Sequence, residues 1–111
     1  MFLLSLHMDV IFEDKDLQEL YEKGHNRKYR KYERDANFLR NLSDRIAYLI
    51  TLDDTSQLPL YSFMHYEKLR GIGLSSIRVI NGRKERLVFR EKANGIRIVM
   101  IELNTTHYGS K

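Results

Sequence analysis

The chain has 111 residues, with 19 Lys+Arg against 15 Asp+Glu, a formal charge of +4 and a pI near 9.4. With 42% hydrophobic and 31% charged residues it can bury a core without covalent staples, which excludes a disordered or disulfide-dependent chain. The absence of cysteine excludes disulfides, thiol nucleophiles and Cys-type zinc sites.

No apolar run approaches the ~20 residues of a membrane span. The Met1–Met8 segment lacks the basic n-region and full-length h-region of a secretory signal, so the expected location is the cytoplasm. A single proline, Pro59, and no linker or repeat predict one module. Residues 1–8 read as an extension and residues 9–111 as the domain.

In chain order, a short strand is expected around Val10–Phe12, then a helix capped by Asp14 or Asp16 with Leu17, Leu20 and Tyr21 on its inner face. Gly24 ends it. Steps of three and four through Tyr32, Ala36, Leu39, Leu42, Ile46, Leu49 and Ile50 predict a second helix from Lys28 to Ile50, antiparallel to the first. Thr51–Pro59 is the expected connection.

After Pro59 the period changes to two. Leu60–Leu69, Ser75–Ile80, Glu85–Arg90 and Ile96–Leu103 read as strands of an antiparallel meander. The fold class is α+β: a short N-terminal strand and a helical hairpin packed on a mainly antiparallel sheet of four to five strands. At Asn81-Gly82, a two-residue turn would split the apolar set between faces. A three-residue loop over Ile80, Asn81 and Gly82 puts Ile77, Val79, Leu87 and Phe89 on one face, leaving Arg78 and Arg86 on an open one.

Three constellations bear chemistry. Arg27, Lys28, Arg30, Lys31 and Arg34 place five cations in eight residues, a pattern that suits phosphate tracking and equally suits a solvated helix face. Arg70, Arg78, Arg83, Arg86 and Arg90 supply a second basic group on strands and turns. His65, Glu67 and Lys68 on the first long strand, with His107 and Tyr108 past the last, bring proton-transfer groups toward the arginine face. No Gly-rich phosphate loop, His-x-x-x-His pair, Gly-x-Ser-x-Gly elbow or EF-hand loop occurs, so neither a metal nor a nucleotide cofactor is expected.

The segments Leu69-Arg70-Gly71, Leu74–Val79, Asn81-Gly82-Arg83, Glu85–Phe89 and Asn104–Tyr108 together resemble a HigB-type toxin of the RelE/ParE superfamily. The likeness runs from about Asp9 to Tyr108. It implies the toxin of a type II toxin–antitoxin system with a RelE-like fold, silenced by a HigA-like helix-turn-helix antitoxin. Such a toxin enters the ribosomal A site and cuts mRNA without metal, the ribose 2′-OH attacking the adjacent phosphate. The resemblance assigns the strand arginine to Arg86, the Leu-Arg-Gly basic residue to Arg70 and the terminal tyrosine to Tyr108. The proton-transfer position falls on Glu67 or His65, and a terminal acid on His107. Arg27, Lys28, Arg30, Lys31, Arg34, Lys68 and Arg78 are expected to bind RNA or ribosome. The alternatives are the ParE branch, which shares the fold and poisons DNA gyrase, and a non-catalytic RNA-binding module.

Overall fold

A computed structural model of the protein describes residues 8–106. The expected Met1–His7 extension, His107 and Tyr108 lie outside the described residues. Met8, read as the end of the extension, is buried in the core, and its N–H donates to the Ile50 carbonyl at 3.1 Å.

Strand β1 (Asp9–Phe12) leads into helix α1 (Lys15–Lys23). Asp14 is the N-cap: its carboxylate accepts from the N–H groups of Asp16 and Leu17 at 2.9 and 3.1 Å, satisfying donors that the first turn leaves without partners. Leu17 and Leu20 are buried, and Gly24 closes the helix at φ 79°, where a side chain would be strained.

Helix α2 spans Ala36–Thr51, not the expected Lys28–Ile50. Asp35 starts it by accepting from the Phe38 N–H at 3.0 Å. Ahead of it the chain makes only a 3-10 turn, Arg30–Tyr32. The apolar spacing is continuous across this break because Tyr32 stacks on Phe38, ring centroids 4.2 Å apart, from a different local structure. The cations of 27–34 therefore form no helical stripe. Thr51 belongs to α2, and the expected connection contains a 3-10 helix, Thr55–Leu60, with Pro59 inside it.

The expected strand Leu60–Leu69 shrinks to β2 (Glu67–Leu69). A second 3-10 turn, Ser62–Met64, precedes it, and His65 adopts the left-handed conformation at φ 47°, which no strand accommodates. Helix α2 secures this irregular segment through Arg45, whose Nε donates to the Arg78 carbonyl at 2.9 Å and Nη2 to the Phe63 carbonyl at 3.3 Å.

Strands β3 (Leu74–Arg78), β4 (Arg86–Lys92) and β5 (Arg97–Asn104) complete a mixed sheet of order β1-β5-β4-β3-β2. The β1–β5 pair is parallel and the rest antiparallel. Ile77 pairs with Leu87 and Arg78 with Arg86, around a loop over 80–84 that is longer than expected. The longer loop keeps the same parity, so the apolar residues do share a face. Ile77, Leu87, Phe89, Ile98, Met100 and Leu103 form one core with Leu17, Leu20, Phe38, Leu42, Ile46 and Leu49. Each such burial is worth about 1.5–3 kcal/mol before entropy is charged against it.

The opposite face is not open as expected: Ser76 and Val88 are buried there and Arg86 is only 5% exposed. Among the described residues no helix is long and apolar enough to cross a membrane.

Candidate functional site

Arg86 opens β4, and three groups fix its guanidinium. Nε donates to Ser76 Oγ at 2.8 Å and Nη2 to the His65 carbonyl at 2.7 Å. Glu67 Oε1 lies 3.4 Å from Nη2 and belongs to a side chain 61% exposed. Burial, then the neighbouring Arg78 charge, pulls the Arg86 pKa down against the opposing pull of Glu67. A guanidinium starts so high that it stays cationic.

Arg78 is the direct cross-strand partner of Arg86. Like charges opposite each other in a sheet cost stability unless something compensates them. Arg78 Nη1 donates to the Arg83 carbonyl at 2.8 Å, whereas its buried Nε has no acceptor among the described residues. An unsatisfied buried N–H costs roughly 1–3 kcal/mol. The pair is thus a fixed cationic site that, among the described residues, Glu67 alone neutralises in part, and the enclosed Arg78 Nε is a cost of that arrangement.

His65 does enter the site, but by its main-chain carbonyl; it is not on the strand with Glu67. Lys68 is on the opposite sheet face from Arg86. It pairs with Ser75, whereas Glu67 pairs with Ser76, and successive strand residues alternate sides. Lys68 instead lines a hollow with Tyr66 and Glu91. Arg70 is exposed in the turn between β2 and β3, and no hydrogen bond or ion pair among the described residues joins it to Arg86. Asn104, the last residue of β5, is the Cα partner of Arg86, so the sequence positions of His107 and Tyr108 follow it by three and four residues.

A second polar network stiffens the surroundings. Arg83 holds Asp35 at 2.9 Å and Glu85 at 3.2 Å, and the Tyr32 hydroxyl donates to Glu85 at 2.9 Å. Burial pushes the Glu85 carboxyl up, but Arg83 and Tyr32 outweigh it and the net shift is downward. Burial, the bond to Glu85 and the charge of Glu85 raise the Tyr32 phenol. At the far end of β4, Glu91 accepts from Tyr66 and from Ser75, the latter at 2.7 Å. Burial, reinforced by Glu91, pushes Tyr66 up to about 12.

Sequence reasoning missed Ser76, Arg45 and the Tyr66–Glu91 pair. Ser76 had a readable signal, a small hydroxyl two residues before Arg78 and therefore on its face. The others act across elements distant in sequence and had none.

The cations Arg27, Lys28, Arg30, Lys31 and Arg34 are all exposed. The backbone beneath them is pinned. Asn26 Oδ1 accepts from the N–H groups of Lys28 and Tyr29 at 2.8 and 3.2 Å, and the Tyr29 hydroxyl donates to Asp14 at 2.8 Å.

No family model matches the sequence, and no curated protein matches it. Among solved structures, the fold is similar to that of the YoeB/ParE toxin from Agrobacterium tumefaciens, at 20% sequence identity and a TM-score of 0.55. The match covers 89% of this chain and 99% of that one. The architecture is therefore α+β with a mixed five-stranded sheet, the fold expected from the sequence.

Proposed function

We propose that the protein is the toxin of a type II toxin–antitoxin pair, of the HigB type, acting as a ribosome-dependent mRNA endonuclease in the cytoplasm. The observation that carries this reading is the Arg78–Arg86 pair, a fixed doubly cationic site with one nearby carboxylate among the described residues, Glu67, on a fold that a YoeB/ParE toxin shares. Such a site fits a phosphate that gains charge in the transition state.

In the proposed reaction the ribose 2′-oxygen bonds to the adjacent phosphorus and the P–O5′ bond breaks, giving a 2′,3′-cyclic phosphate and a 5′-OH. Arg86, assisted by Arg78 and Arg70, stabilises the phosphorane. The 2′ proton passes to a base, for which Glu67 is near Arg86, and the leaving O5′ takes a proton from His107 or Tyr108. This chemistry requires no metal. The antitoxin is a HigA-like helix-turn-helix protein, and the ribosomal A site presents the mRNA.

Single-turnover cleavage of mRNA on programmed ribosomes tests the assignment, with Arg86→Lys beside the wild type. Wild-type cleavage that yields a 2′,3′-cyclic phosphate and falls at least tenfold in the variant supports it. The similarity to a YoeB/ParE toxin also favours a second reading, a gyrase poison without chemistry. Loss of gyrase supercoiling activity with intact mRNA selects that one.

A further inference from the structure

The exposed cations of 27–34 divide into two groups. Lys28 and Lys31 line a cleft of about 440 Å³ together with Asn104, Thr105 and Thr106, whereas Arg27, Arg30 and Arg34 do not. One wall of the cleft is the pinned segment just described. Lys28 Nζ rests 5.3 Å from the Tyr29 ring centroid and Lys31 Nζ 5.3 Å from that of Tyr32, so each ammonium lies beside an aromatic face.

The other wall is the end of β5. Asn104, which lines the cleft, is the cross-strand partner of Arg86 and shares its sheet face, so one residue borders both the cleft and Arg86. Two ammoniums, two threonine hydroxyls and an amide face a single carboxylate, Glu102, whose Oε2 accepts from Asn104 Nδ2 at 3.1 Å. Tyr29 and Tyr32 are buried and their hydroxyls committed, so neither ring is available to stack on a base.

We infer that this cleft holds the backbone phosphate next to the scissile one, so that single-stranded RNA runs from Arg78 and Arg86 to Lys28 and Lys31. The inference rests on the nuclease reading and assigns these two lysines to the substrate strand. Recognition by backbone alone tolerates any base at that step.

The test is binding of a 2′-O-methyl RNA decamer, which lacks the attacking hydroxyl and stays intact, measured against salt. Lys28→Gln with Lys31→Gln should weaken binding about tenfold and reduce the salt slope by about 0.7, the value for one single-strand phosphate contact. Arginine at both positions should restore both. Removing equal charge elsewhere, with Arg40→Gln and Lys92→Gln, should leave the decamer's affinity within twofold. All four side chains are exposed, and far-UV circular dichroism checks the fold.

Equal losses in the two double variants overturn the inference, because general charge then suffices. So does unchanged RNA binding in a variant that loses capture of an acidic partner peptide. Absence of ribosomal cleavage by the wild type sinks the nuclease reading instead and leaves this binding measurement to be read separately.

Discussion

Arg86 and the cations of 27–34 carry the same unit charge, yet the fold treats them in opposite ways. Arg86 is withdrawn from water and held at Nε and Nη2 by Ser76 and the His65 carbonyl. The five cations of 27–34 stand in solvent on a backbone that is itself pinned by Asn26, Tyr29 and Tyr32. A preorganised buried cation can stabilise a transition state without reorganising, whereas a solvated one supplies screened, long-range attraction. Under the proposed function, the difference is a division between chemistry and capture.

The sharpest way to break that division is at Arg86. Arg86→Ala should slow single-turnover cleavage by roughly 100- to 1000-fold, the usual loss for one charge stabiliser. It should also lower unfolding free energy by about 1–3 kcal/mol, because the buried Ser76 hydroxyl and His65 carbonyl lose a partner. Arg86→Lys should recover part of the rate, since a point charge cannot reach both acceptors. A wild-type rate in the alanine variant removes Arg86 from the chemistry.

Next in size is Glu85→Gln, in the network that fixes the start of α2 and the β3–β4 loop. Its loss should cost about 2 kcal/mol at pH 7, as for hydrogen bonds to a charged group. Because the Glu85 pKa is depressed in the folded state, its stabilisation is present at neutral pH and lost as the pH falls below the ordinary value of 4.5. Wild type and variant should therefore converge in melting temperature toward pH 3. A constant gap from pH 7 to pH 3 would show that packing, not charge, sets the effect.

Tyr66→Phe probes how the His65 carbonyl is kept in place. It removes the hydroxyl that Glu91 accepts, at about 1 kcal/mol of stability, and should lower kcat several-fold with KM unchanged. A change in KM alone would assign Tyr66 to binding. The smallest effect is expected from Arg27→Gln, Arg30→Gln and Arg34→Gln together. Stability should stay within about 0.5 kcal/mol and single-turnover chemistry should not change, while ribosome association becomes weaker and less salt-dependent. Unchanged association at low salt would reduce this segment to a solvated surface.

Much of this arrangement is legible in the sequence, for local reasons. Asp14 and Gly24 bracket α1 because a cap and a left-handed stop are properties of single residues. The face shared by Ile77 and Leu87 follows from parity, which a loop two residues longer preserves. Elements set by distant partners were not legible. Asp35 interrupts an apolar period that runs on unbroken, because its second oxygen is engaged by Arg83 from across the chain. The 3-10 turn Ser62–Met64 before β2 is held by Arg45, a residue of α2 that no local pattern connects to Phe63. At the site, Arg86 and Glu67 could be foreseen near each other, but the contribution of His65 is made by a backbone oxygen that any residue possesses. Lys68 falls on the other face because β2 is only Glu67–Leu69 and its register, with Glu67 opposite Ser76, is set by β3 and not by the apolar pattern of 60–69.

The parallel pairing of Asp9 with Arg97 brings together residues from opposite ends of the described chain. Strand β5 sits between β1 and β4, so one of the most interior strands is also the last of the described strands to be synthesised. Until residues 97–104 are available, β4 is an exposed edge and β1 has no neighbour in the sheet. Such non-local closure places folding on the slow side for a domain of this size. On a translating ribosome, a growing chain that already contains Arg86 still lacks the strand beside it, so the proposed activity belongs to the finished protein and not to its nascent fragments.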